Sequence, residues 1–262
     1  MLRVQRLLSE HIRQSVTLKP APGKAGQDQI YSVRQGHSTV AMVRVHNKHR
    51  IMPNEPQKWS FRSQLDLQHR IEKEWNSYEK LSAKKLSPKP LWRNEMAMAC
   101  SLVDGERASR RFVRVKRDFW TLAEHLLDAV NRMHDCGVIH MDLNLGNILI
   151  HPKTNAIAFI DFEFGPANWV TEEQQRACDY LCLLNEFSRK RRGGRVMLTD
   201  PHRMAELLGR YVREEDRSVC LGDILPQLAR LSEQARLCQS LKLVFPNLEA
   251  RRQGVLPAHE NV

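Results

Sequence analysis

The stretch from Val138 to Gly165, VIHMDLNLGNILIHPKTNAIAFIDFEFG, constrains the fold more than any other part of this chain. Its apolar runs, Val138-Ile139, Ile148-Leu149-Ile150 and Ala156 to Ile160, are too short for helices and suit short strands. Pro152 to Asn155 supplies a hairpin turn between the last two. Polar side chains of chemical use punctuate the runs: His140, Asp142, Asn144 and Asn147 before the hairpin, Asp161 and Glu163 after it. A hairpin here folds Asp161 back beside Asn147. Just upstream, Phe119, Leu122, Leu126, Val130 and Met133 recur at helical spacing over 119–135, and Gly137 is a natural stop.

The rest of the chain supplies two lobes. Residues 28–46 read as two strands joined at Gly36-His37, and 96–103 as another strand before the turn Asp104-Gly105. Between them, Leu67, Ile71, Glu74, Tyr78 and Leu81 form one stripe of a helix over 64–85. That stripe is apolar except for Glu74, and a carboxylate on a buried stripe requires a cationic partner or a polar cleft. Residues 1–14 suggest a short amphipathic helix, and the chain from Thr171 onward is mainly helical, with a break at Gly193-Gly194. The expected architecture is α+β and two-lobed. A β-rich N-terminal lobe with one key helix spans 1–104, and a mainly helical C-terminal lobe spans 105–262.

Composition narrows the class. No apolar run reaches the roughly 20 residues of a membrane span, and the N-terminus has no secretory pattern. The six cysteines form no CxxC pair, which fits reduced, cytoplasmic use. The net charge of +11 is unevenly spread. Residues 1–100 hold 18 basic and 8 acidic groups, whereas residues 118–188 hold 3 and 11. Two basic clusters flank the acidic stretch: Arg107, Arg110, Arg111, Arg114, Lys116 and Arg117, then Arg189, Lys190, Arg191, Arg192 and Arg195. Such clusters are either solvated surface or the seat of an anionic partner.

The run His140-Met-Asp142-Leu-Asn144-Leu-Gly-Asn147, a hairpin, then Asp161-Phe162-Glu163 resembles the catalytic core of the protein-kinase-like superfamily. The resemblance implies ATP and Mg²⁺ as cofactors. Asp142 would orient or deprotonate the acceptor hydroxyl, Asn147 and Asp161 would hold Mg²⁺, and His140 would organise the loop. Arg44 stands where the family has a phosphate-binding Lys, with Glu74 as its helix partner; Arg is forked and bulkier, so the exchange is not neutral. Lys24, in the glycine-poor loop Gly23-Lys24-Ala25-Gly26, could supply the ammonium instead, or be an ordinary surface Lys. Leu102 to Gly105 resembles the interlobe hinge. Asp179 resembles the acid that props the catalytic loop; a capping or surface Asp would read the same way.

Several features point to a branch of that superfamily. Only 17 residues separate Asp161 from Asp179, with no A-P-E, and Asn144 stands where protein kinases have Lys. The sequence looks nearest to the bacterial lipopolysaccharide kinases, with RIO-like and aminoglycoside phosphotransferase families next. The expected acceptor is then a sugar hydroxyl of an anionic glycolipid or a phosphorylated sugar, met at an anionic membrane surface. The expected place is the cytoplasm, with possible peripheral docking at the inner membrane. Alternatives are a protein Ser/Thr kinase and a nucleotide-binding pseudokinase scaffold. Nucleic acid is not expected, because only Phe112 interrupts 107–117 and stacking platforms need more rings. The acceptor, the oligomeric state and the role of residues 196–262 are not readable.

Overall fold

In a computed structural model, which describes residues 2–21, 28–47, 60–114, 118–192 and 194–251, the first lobe is built on a five-stranded antiparallel sheet in the order β1-β2-β3-β6-β5. Helix α1 (Leu2–Ile12) precedes β1 (Thr17–Pro20), β2 (Gln29–Gln35) and β3 (Ser38–Val45). Gly36, at φ +57°, turns β2 into β3, a conformation that glycine enters without a Cβ penalty. β2 and β3 alternate buried with less buried positions, so Tyr31, Val33, Ala41 and Val43 pack under α1 against Val4 and Leu8. β4 (Arg62–Gln64) leads into α2 (Leu67–Ser82), and β5 (Pro90–Arg93) and β6 (Ala97–Ser101) complete the lobe. Asp66 caps α2 by accepting from the His69 N–H at 2.9 Å.

β6 is the last strand of that sheet, and β7 (Glu106–Arg107) already belongs to the next lobe. There β7 pairs with β8 (Ile148–Ile150), which pairs with β9 (Ile157–Phe159) across the hairpin. α3 (Ala108–Arg114), α4 (Phe119–Asp135) and α5 (Glu172–Phe187) surround the hairpin, and β10 (Phe164–Pro166) returns to pair with β4. Five further short helices follow: α6 (Gly194–Thr199), α7 (Pro201–Gly209), α8 (Glu214–Arg217), α9 (Ala229–Ser232) and α10 (Ala235–Leu241). α5 is held at its start by a capping box between Thr171 and Gln174. Among the described residues, no helix is long and apolar enough to cross a membrane.

The apolar stripe of α4 is buried along its length, with Leu126, Leu127, Val130 and Met133 at 0% exposure. Each such side chain contributes about 1.5–3 kcal/mol by leaving water. This core extends under the 138–165 segment through Ile148, Phe159 and Phe162. It is the platform on which the polar loop ends stand.

Candidate active site

The polar residues of the 138–165 stretch converge. The Ile160 N–H donates to the Asn147 carbonyl at 3.0 Å, which ties the strand that ends at Asp161 beside the loop that ends at Asn147. Asn144 Nδ2 donates to Asp142 Oδ2 at 3.2 Å, and Asn147 Nδ2 does the same at 3.2 Å. Both amides also donate to the Asp142 carbonyl at 3.1 Å. Asp142 is thus fixed by two neutral side chains of its own loop. Burial pushes its carboxyl above the usual range; the Arg62 charge opposes that rise, while Asp161 and Glu163 add to it.

The loop rests on Asp179, a fully buried side chain of α5. Asp179 accepts from the backbone N–H of His140 at 2.8 Å and of Met141 at 2.9 Å, and lies 3.1 Å from His134 Nε2. Burial would raise this carboxyl, but the His134 hydrogen bond, the charges of His134 and His140 and the backbone donors hold it below its ordinary value. His140 Nε2 meets the Ile160 carbonyl at 3.0 Å, and its ring lies 4.5 Å from that of Phe162. Met141 and Asp161 both adopt positive φ, +67° and +74°. Non-glycine residues rarely stay there unless surrounding contacts hold them, and such residues gather at functional sites.

The first lobe brings a second set of charges. Arg44 on β3 lies 2.5 Å from Asp161, 3.7 Å from Glu74 and 3.9 Å from Glu163. Glu74 is 2% exposed and accepts from the Tyr78 hydroxyl at 2.7 Å. Burial raises the Glu74 carboxyl, Arg44 opposes the rise and Asp161 adds to it. The strand cation and helix carboxylate are therefore together, and the structure adds Asp161 and Glu163 to the pair.

Sequence reasoning missed four participants. Arg62 on β4 donates to Asp142 Oδ1 and lies over the Phe164 ring at 4.9 Å. Lys73 on α2 donates to the Phe164 carbonyl, its amine lowered to about 8 by burial. Arg70 lies 3.6 Å from Glu163 and 3.0 Å from Asp28, which in turn is 3.0 Å from His46. Burial would raise Asp28; the hydrogen bonds from His46 and the Asn47 N–H, with the His46 and Arg70 charges, hold it well below the usual range. Periodicity gives no sign of Arg62 or Asp28, because their partners are 80 and 18 residues away. Lys73 lies on a recognisable helix but off its apolar stripe, whereas Arg70, three residues after Leu67 and four before Glu74, lies on that face and its spacing was a signal that could have found it. Lys24 and its neighbours lie outside the described residues.

The basic clusters divide. Arg114 donates to Glu106 and Arg111 lies 3.5 Å from it, so part of the first cluster is paired locally rather than with the acidic stretch 118–188. Lys116 and Arg117 lie outside the described residues. Arg107 joins Arg189, Arg192 and Arg230 in lining a cleft of about 460 Å³ that opens on Asp142.

A family model described as the RIO domain matches residues 30–189. Two crystal structures of the Rio2 kinase from Chaetomium thermophilum share the fold. The first, an ADP/Mg²⁺–phosphoaspartate complex, is 18% identical with a TM-score of 0.53, and the alignment covers 96% of this chain and 75% of that one. The second is 18% identical with a TM-score of 0.52 and covers 94% and 77%. No match was found among curated proteins. These findings establish the two-lobed kinase-like fold and correct the expected branch: the matching family is the RIO domain, not the lipopolysaccharide kinases. The anionic glycolipid or sugar acceptor, and the membrane surface expected with it, fall with that assignment. That choice rested on local features of one segment, Asn144 and the 17 residues from Asp161 to Asp179 without A-P-E, and such local spacing does not specify an acceptor.

Proposed function

The chain belongs to the RIO-domain family and is a kinase, and on that premise we propose that it transfers the γ-phosphate of ATP, with Mg²⁺, to a serine or threonine hydroxyl of a protein. The convergence of Asn147 on Asp142, with Asp161 carried alongside by the Ile160–Asn147 hydrogen bond and Asp142 itself lining a cleft, carries this reading. The donor set fits the ion. Mg²⁺ is held by one or two protein oxygens together with the phosphates that it escorts. Asp161 offers a carboxylate, and Asn147, whose Nδ2 is engaged by Asp142, keeps its Oδ1 for a metal. Among the described residues, no cluster of three His, Cys, Asp or Glu side chains forms a dedicated cage. When bound, Mg²⁺ neutralises charge on the phosphates.

In this reading Asp142 positions the acceptor hydroxyl and takes its proton, for which a carboxyl raised above its ordinary value is suited. Arg44, anchored by Glu74, presents the cation that faces the phosphates. Asn144 stands at the position of the usual loop Lys, and the Arg62 guanidinium supplies a cation beside Asp142 from another strand. The Rio2 structure with phosphoaspartate favours a second outcome, in which one of the chain's own aspartates receives the phosphoryl group. Transfer of ³²P from ATP to a protein mixture tests both. Asp142→Asn should lower transfer by about 10²-fold or more with ATP binding kept, and parental activity in that variant would refute the role. Label on the chain itself that hydroxylamine removes would mark the second outcome.

A further inference from the structure

The cleft on Asp142 does not end there. A second cleft, of about 580 Å³, shares Ser109, Arg189, Arg192 and Arg230 with it, so the two are parts of one groove. The fold makes this groove by joining sequence clusters about 80 residues apart. Phe112 of α3 stacks on Phe187 at the end of α5, with ring centroids 5.0 Å apart. That contact sets Arg107 and Ser109 opposite the Arg189–Arg192 turn, and Arg230 at the start of α9 closes the far wall.

The charges of the groove are unbalanced. Glu186 lies 2.7 Å from Arg189 and also accepts from Arg192, and Asp142 accepts from Arg62. Among the described residues, Arg107 and Arg230 have no carboxylate within ion-pair distance. Burial, then the nearby Arg230, holds Arg192 below the usual arginine range. Cations gathered without counter-charge repel and give the fold little.

We propose that this groove binds an aspartate- and glutamate-rich segment of the protein whose hydroxyl is presented to Asp142. The inference rests on the phosphotransfer reading above. An extended peptide rises about 3.3 Å per residue, so residues flanking the acceptor hydroxyl run from Asp142 between the arginines. Arginine forks bind carboxylates through paired, charge-assisted hydrogen bonds. Single-stranded RNA is the rival occupant, but it is gripped by exposed aromatic platforms. Phe61, the aromatic residue lining the groove, is 4% exposed and offers no face for stacking.

Fluorescence anisotropy on the full chain tests the proposal without needing catalysis. The probes are a labelled serine peptide rich in Asp and Glu, the same peptide with Asn and Gln in their place, and a labelled oligouridine. The acidic peptide should bind, more weakly as salt rises, and Arg107→Ser with Arg230→Ser should weaken it about tenfold. Both positions are exposed, so ATP binding and melting temperature should stay at the parental values. The proposal fails if the amide peptide binds as tightly, if the double variant keeps the parental affinity, or if oligouridine binds more tightly than the acidic peptide through the same arginines. Loss of acidic preference with serine phosphorylation intact would remove the groove and leave the kinase. An inactive chain that still binds the acidic peptide would do the reverse.

Discussion

Two buried carboxylates meet opposite fates in this molecule, Asp179 beneath the catalytic loop and Glu74 between the lobes. Both are almost wholly out of water, at 0% and 2% exposure. Asp179 faces two backbone N–H donors and the His134 ring, and is held charged below its usual range. Glu74 receives one hydroxyl hydrogen bond and an arginine 3.7 Å away, and burial wins, so its carboxyl is raised. The number of donors aimed at an acid, more than its depth, decides whether the fold favours its charge. The loop support is thus fixed by geometry. The interlobe centre, where Arg44 lies within 4 Å of Glu74, Asp161 and Glu163, instead shares one cation among three carboxylates.

The largest effect that this contrast predicts comes from removing the fixed centre. Asp179→Ala strips three donors of their acceptor in a dry site and should cost about 3–5 kcal/mol. At this chain length that lowers Tm by roughly 10 °C, and kinase activity should fall with it as the Asp142 loop loses its floor. The pH dependence carries the same sign. A depressed carboxyl contributes stability above its unfolded pKa and loses it as pH falls through the lower folded value, so Asp179 contributes in full at neutral pH and its contribution is lost only in acid. Glu74 has the opposite sign: its contribution is present below the unfolded carboxylate range and is lost as pH rises through the folded value. Acid titration of Asp179→Ala against the parent, followed by circular dichroism, should show the parental advantage shrinking below about pH 4. A melting temperature within a degree or two of the parent would reduce Asp179 to a surface acid in effect.

The same contrast marks what the sequence made legible. The helix over 119–135, the β2–β3 turn at Gly36-His37, the 148–160 hairpin and the Glu74 stripe are local patterns, and the structure has each within a few residues. Arg44 beside Glu74, and Asp179 beneath His140, were legible because the resemblance supplied the long-range pairing that periodicity cannot. β4 and β10 were not legible: each is three residues long, and they pair across about 100 residues. Arg62 rides on β4, so it was lost with it. The choice of acceptor failed for a different reason: it rested on the spacing of one local segment, and nothing in that spacing identifies the molecule that receives the phosphoryl group.

A middle-sized effect should come from the shared-cation centre. Arg44→Ala should raise the ATP requirement about tenfold or more, while Tm falls less than in Asp179→Ala, because Glu74, whose carboxyl is already raised, can take a proton when its cation is removed and Arg70 still stands near Glu163. Arg44→Lys should recover much of the loss, since a cation returns, though without the planar guanidinium whose Nη1 meets Asp161, Glu74 and Glu163. ATP titration of the two variants beside their melting curves measures this. Equal losses of stability in Arg44→Ala and Asp179→Ala would erase the distinction between the two centres.

The smallest effect sharpens the comparison at Asp142, which stands between the two cases. It has the donors of a fixed acid in Asn144 and Asn147, yet burial leaves its carboxyl raised, with the Arg62 charge as the largest opposing influence. Transfer needs the deprotonated carboxylate, so activity should rise as pH climbs through this raised value. Arg62→Met keeps an apolar chain near Phe61 and Phe164 and removes only the cation. The acid limb of the kcat profile should then move to higher pH, with a loss of only a fewfold on the alkaline plateau. Arg62→Lys should return the limb toward the parental position. If the limb stays in place while the plateau falls steeply, Arg62 acts on the transferred phosphoryl group rather than on the proton affinity of Asp142. If both are unchanged, the contact has no part in transfer, and Asn144 and Asn147 alone set the state of the carboxylate.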